Sequence, residues 1–82
     1  SAFVYVFNLN RQMQGYWQAI GVSDPGDLLQ RGDDLWVADY SANRVYRFAG
    51  GANLRSGEHA PTEEYELPPD TNLASFVDGL NL

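Results

Sequence analysis

"GDDLWVADYSANRVYRF", Gly32 to Phe48, sets two runs of large apolar and aromatic residues on either side of a small polar knot. β-Branched and aromatic residues favour strands, while Ser, Ala and Asn between them favour a turn. The stretch therefore reads as a β-hairpin with strands at Asp34–Asp39 and Arg44–Phe48. "LWVA" is apolar at every position, where a strand with one wet face would alternate. Such a strand requires cover on both faces.

Working outward, short strand-like runs recur between clusters of Gly, Pro, Asn, Asp and Ser. "AFVYVFNL" predicts a strand near Ala2 to Asn8, "GYWQAI" one near Gly15 to Ile20, and "EEYEL" one near Glu63 to Leu67. "SDPGDLLQRG" is the best helix candidate, with Ser23 or Asp24 as N-cap. It carries a glycine and runs barely two turns, so a strand at Asp27–Arg31 turning at Gly32 is the better reading. In "EEYEL" the residues alternate, with Tyr65 and Leu67 on one side and Glu64 and Glu66 on the other, as in a half-exposed outer strand.

The runs also repeat. "VYVF" at Val4 to Phe7 returns as "VYRF" at Val45 to Phe48, an offset of 41. Trp17 and Ala19 align with Tyr65 and Leu67, Asp24 with Asn72, and Leu28–Leu29 with Phe76–Val77, all at an offset of 48. The difference is absorbed by "AGGANLRSGEHAPT", residues 49–62, a loop-rich insertion. A period of this length with four strands per copy is the signature of a propeller blade. The expected fold is all-β, built of antiparallel four-stranded propeller-blade repeats. Residues 1–23 supply the outer strands of a first blade, 24–68 a complete blade, and 69–82 the inner strand of the next, near Ala74 to Val77. The proposition beneath this architecture is that sister sheets arranged radially, and no helix, shield the apolar faces.

Gly32 to Phe48 resembles the NHL-type repeat of six-bladed propellers. The shared features are a glycine-bearing turn, an apolar strand ending in Ala-Asp, a polar turn with Asn-Arg, and a Val-aromatic strand. "RFAGGANLRSG" is similar to repeats of large bacterial secreted or surface proteins. The resemblance departs at the innermost strand, where "DPGDLL" has its glycine one place early and "TNLASFVDG" lacks both proline and glycine. It implies an extracellular or cell-surface setting and a role in structure or protein binding.

Size and charge narrow the functions. A chain of 82 residues buries about 60–65% of the surface its unfolded form exposes, and without cysteine it has no disulfide or thiolate zinc site to add stability. Partner surface is the remaining source. The chain opens directly into "AFVYVF" and closes on "FVDGLNL", so it reads as an excerpt of something longer. Two exposed blade faces would then make the isolated chain self-associate, for example as a ring of three copies. Up to Arg55 five arginines balance five aspartates, while the remainder carries six acids and no base. Lysine is absent, which makes nucleic acid and anionic membrane poor partners. No apolar run approaches the roughly 18 residues of a membrane span.

Residues suited to chemistry are sparse. His59 stands beside Glu58 with no second histidine or cysteine, no serine lies in a G-x-S-x-G elbow, and the acids around Asp33 match no calcium loop. No catalytic residue, metal or cofactor is assigned. "RGD" at Arg31 to Asp33 reads as the first β-turn of the blade. Asp39 and Arg44 are expected to brace the hairpin turn, the carboxylate accepting turn amides and pairing with the guanidinium. Tyr40, Asn43 and Asp24 fall on one propeller face and form the candidate binding patch for a protein or glycan. The expected function is a non-catalytic structural or partner-binding propeller segment. The alternatives are a metal-dependent propeller enzyme of lactonase or lyase type and a closed stand-alone β-domain.

Overall fold

A computed structural model describes residues 1–80. The positions 81 and 82 of the segment expected at 69–82 lie outside the described residues. Seven strands and one helix follow in the order β1 (Ala2–Phe7), β2 (Met13–Ala19), β3 (Asp27–Arg31), β4 (Asp34–Asp39), β5 (Arg44–Phe48), β6 (Glu58–His59), β7 (Glu63–Glu66) and α1 (Leu73–Gly79). A short 3-10 turn at Gly51–Asn53 follows β5. The strands form two sheets, one ordered β1-β2-β6 and the other β3-β4-β5-β7.

The opening hairpin is the centre of the four-stranded sheet. β3 joins β4 through the two-residue turn Gly32–Asp33, with Arg31 opposite Asp34 and Gly32 at a φ of 58°, the positive value that such a tight turn asks of its first central residue. β4 then pairs with β5, Val37 opposite Tyr46, and β5 with β7, Val45 opposite Tyr65, every pair antiparallel. All three expected strand spans from Asp27 to Phe48 hold to the residue. Arg47 ties β4, β5 and β7 together, donating to Asp34 at 3.0 Å, pairing with Glu63 and lying over the Trp36 ring.

Both faces of this sheet are covered, by different elements. On one side Leu35, Val37, Tyr46 and Phe48 pack against Trp17, Ala19 and Val22 of the β1-β2 unit, where the Trp17 and Phe48 rings meet edge-on at 5.0 Å. On the other, Trp36, Ala38, Val45 and Leu67 pack beneath Leu73, with Phe76 and Val77 of α1 alongside. The result is three layers: sheet, sheet, helix. At about 25 cal/mol per Å², burying each large side chain in these seams contributes roughly 1.5–3 kcal/mol before chain entropy is charged.

The helix corrects two expectations. The inner strand placed near Ala74 to Val77 is the middle of α1, and the face bearing Trp36 is shielded by that helix where a sister sheet was expected. Local chemistry explains the change. Asn72 caps the helix by accepting from Ser75 N–H at 2.8 Å, and Leu73, Phe76, Val77 and Leu80 recur at helical spacing, giving one apolar stripe. A ring of three copies needs that strand and that bare face, so this mode of self-association is removed.

The long loop at 49–62 also differs from a plain insertion. Its segment Arg55 to His59 runs parallel to β2 and accepts from Tyr16, Gln18 and Ile20 N–H at 2.9–3.1 Å, so β6 covers the outer edge of β2. Gly15 permits the approach, since a Cβ there would collide with the Arg55 carbonyl. β2 accordingly begins at Met13, two residues before the expected start.

Leu73→Ala should lower the unfolding free energy by about 2–4 kcal/mol, because the site is fully buried between two layers. Urea titration followed by tryptophan emission checks it: the variant should shift its midpoint downward, and an unchanged midpoint contradicts the packing role given to α1.

Candidate functional site

Asp24, Tyr40 and Asn43 do come together at one end of the four-stranded sheet, around the carboxylate of Asp39. Asp39 is 1% exposed and sits at the end of β4, where the chain turns. Its Oδ1 accepts from Ser41 Oγ at 2.8 Å and from Ala42 N–H at 3.0 Å, and its Oδ2 accepts from Asp24 N–H at 3.2 Å. Burial pushes this carboxyl upward, but the hydrogen bonds from Ser41, Ala42, Asp24 and Ser23 outweigh it and hold the group below the ordinary 3.8. Arg44 stands opposite Asp39 in the ladder, yet its guanidinium makes no ion pair among the described residues. The expected turn amides are there and the expected guanidinium pairing is not.

The Tyr40 hydroxyl and backbone groups of Asn43 and Asp24 are used by the chain itself. Tyr40 donates its hydroxyl to Asp27 at 3.1 Å and accepts from the Leu73 N–H at 3.1 Å, which satisfies one of the open donors at the start of α1. Gly26 lies flat against the Tyr40 ring, where a Cβ would come within 2.6 Å. Asn43 adopts the left-handed conformation at φ 55° and its carbonyl accepts from Leu67 N–H at 2.9 Å. Asp24 contributes its amide. The cluster binds hairpin, β3 and helix into one body.

His59 is likewise occupied, its Nε2 2.8 Å from the Ser56 carbonyl and its ring edge-on to Trp17. Arg31 of the "RGD" triplet pairs with Asp78 of α1. Among the described residues no three His, Cys, Asp or Glu side chains stand close enough to hold a metal ion, and no helix is long and apolar enough to cross a membrane.

One face of the β1-β2 unit is bare. Along β1 the side chains alternate, with Ala2, Val4 and Val6 facing the second sheet and Phe3, Tyr5 and Phe7 facing away. Tyr16 of β2, directly across from Tyr5, completes a cluster with ring centroids 5.9–6.4 Å apart. The three clustered rings and Phe7, on the same face, are about half exposed, from 49% to 59%. Neither β1 nor β2 carries a charged side chain. The repeat was the available signal: Tyr46 and Phe48, the matched residues of β5, are buried at 4% and 2% beneath Trp17. Tyr5 and Phe7 occupy the same phase with no described residue packed above them.

No family model, curated protein or solved structure matches the chain.

Two outcomes follow from the Asp39 cluster. Tyr40→Phe removes both hydroxyl bonds and should cost about 1–2 kcal/mol, with faster amide exchange at Leu73. Asp39 and Asp34 both have folded values below 3.8, Asp34 through the Gly50 amide and Arg47. Their contribution is complete above that pH and is lost as pH falls through the folded values. Thermal melts should be level near neutrality and drop below about pH 4, and Asp39→Asn should flatten that drop while lowering the plateau.

Proposed function

We propose that this chain is a non-catalytic structural segment made of sheets that stack face to face, and that it acts by binding partners through its uncovered sheet face. The observation that carries the reading is the pair of matched positions: Tyr46 and Phe48 buried under a neighbouring sheet, Tyr5 and Phe7 exposed in the same phase. Three further facts support it. β4 and β5 are buried on both sides, the repeat keeps the same facing in both sheets, and Gly32 to Phe48 resembles an NHL-type repeat. On this reading α1 stands where a further sheet would stack and closes the stack on that side.

Physics sets the strength of the contact. Four half-exposed rings offer roughly 400 Å² of apolar surface, taking about half of the ~200 Å² each carries. That is the size of patch that marks an interaction site on a soluble protein. Two copies joined through it bury about 800 Å² from the rings alone, and flanking Met13, Gln14 and Gln18 bring the total near the lower bound of ~1,200 Å² for a stable interface. Tilts of 32° to 60° between the rings suit interdigitation with another side-chain layer better than stacking on one flat ring. With the opposite side closed by α1, self-association should stop at a pair, Phe3, Tyr5 and Tyr16 against the same residues of a second copy.

Sedimentation of the chain across a concentration series tests this. The expected result is a monomer–dimer equilibrium that Tyr16→Glu abolishes without lowering the melting temperature. A monomer at every concentration, or a dimer indifferent to Tyr16→Glu, contradicts the face as the binding surface.

A further inference from the structure

β1 has one paired edge and one open edge. Its pairing with β2 leaves Val4 opposite Trp17 and Tyr5 opposite Tyr16. Tyr16 and Gln18 turn their N–H groups toward Arg55 and Gly57, so by the alternation of an antiparallel ladder Trp17 and Ala19 turn theirs toward β1. Val4 therefore bonds to β2 and Ala2 donates to the Val22 carbonyl just past it at 2.9 Å, while the N–H and C=O groups of Phe3 and Tyr5 point away from β2. Among the described residues no strand pairs with that side. Beneath it lies a cleft of about 370 Å³ between β1 and the start of β3, floored by Val22, Leu28 and Val37. Leu28 and Val37 are register partners on one face of the sheet, yet Val37 is 2% exposed and Leu28 is 54%. The sheet thus extends a shelf past β1, and the shelf is bare.

The internal repeat says what belongs there. β5 is the counterpart of β1, and its corresponding edge is occupied by β4, an antiparallel strand of sequence "LWVA" between aspartates. Proteins normally protect open edges with charge, proline or cover, and β1 has none of these from Ser1 to Asn10. Asp27 is the one charged side chain lining the cleft, in a chain of net charge −6.

We propose that the open edge of β1 and the shelf below it form a strand-addition site for an extended apolar segment of a partner protein. The segment runs antiparallel to β1 and is flanked by lysine or arginine. Phe3 and Tyr5 supply the backbone donors and acceptors, Leu28 receives the small apolar side chains on one side of the incoming strand, and Asp27 receives the basic flank. The site concerns an edge and is independent of the aromatic face, so the two can succeed or fail separately.

The test uses the Tyr16→Glu chain, in which association through the face is suppressed, and a synthetic peptide bearing the β4 run "LWVA" with lysines in place of the flanking aspartates. Amide exchange is read residue by residue. Saturating peptide should slow exchange at Phe3 and Tyr5 at least about tenfold and leave Val4, already bonded to β2, unchanged. N-methylation of the peptide on its β1-facing amides should abolish binding, and replacing its lysines with glutamates should weaken it severalfold. Phe3→Pro, which an open edge tolerates, should cut affinity by about tenfold. Absence of binding at millimolar peptide, binding without protection at Phe3 and Tyr5, or equal binding by the N-methylated peptide overturns the proposal.

Discussion

The four-stranded sheet is apolar on both faces, and the rest of the molecule is arranged to answer that constraint. β4 places Leu35 and Val37 on one side and Trp36 and Ala38 on the other, all buried. A chain of 82 residues has material for few layers. The first face takes the β1-β2 unit, sealed by Trp17 against Phe48, and the second takes a helix of seven residues. A helix this short has little stability of its own in water, so the apolar stripe pressed on Trp36 and Val45 holds it in place. The dependence is mutual, since without the helix that face would stand open.

The junction of the layers depends on two groups. Asp39 gathers the turn after β4 and the approach to β3 through one buried carboxylate, and the Tyr40 hydroxyl, one residue on, reaches both Asp27 and the first amide of α1. Buried polar atoms that are fully satisfied specify a unique arrangement more sharply than apolar contact does, because any slip of register leaves a group unpaired. At the end of the sheet expected to offer a binding patch, the Asp39 carboxylate and the Tyr40 hydroxyl are therefore committed to internal bonds.

How much of this could be read beforehand differs from element to element for physical reasons. β3, β4 and β5 were legible to the residue because a tight turn at Gly32–Asp33 and a polar knot after Asp39 bound them. β6 was invisible: two residues with no pattern, Glu58 and His59, are held as a strand by backbone bonds to β2. α1 was written plainly in the spacing of Leu73, Phe76, Val77 and Leu80 and in Asn72 as cap, but the alignment of Phe76–Val77 with Leu28–Leu29 pointed to a strand. The matched strand positions keep the same facing in both sheets, and the match fails at its last element, where local spacing and capping prevailed. Two exposed apolar faces were expected and one is found: Phe3, Tyr5 and Phe7 have no described element above them, while α1 covers the face bearing Trp36.

The edges of the two sheets are unequal in a way that limits how the molecule can aggregate. β6 carries Glu58, β7 carries Glu63, Glu64 and Glu66, and β3 carries Asp27 and Arg31, so each of these borders presents charge to any strand that approaches. β1 alone is neutral. Counted over the described residues one border is receptive, so on the strand-addition proposal the molecule has a valence of one, with no second receptive border among those residues from which to pass the pairing on. Fibril growth needs a valence of two at least, so a protein with an exposed, aromatic, β-rich surface is kept from templating an endless sheet by where its carboxylates happen to lie.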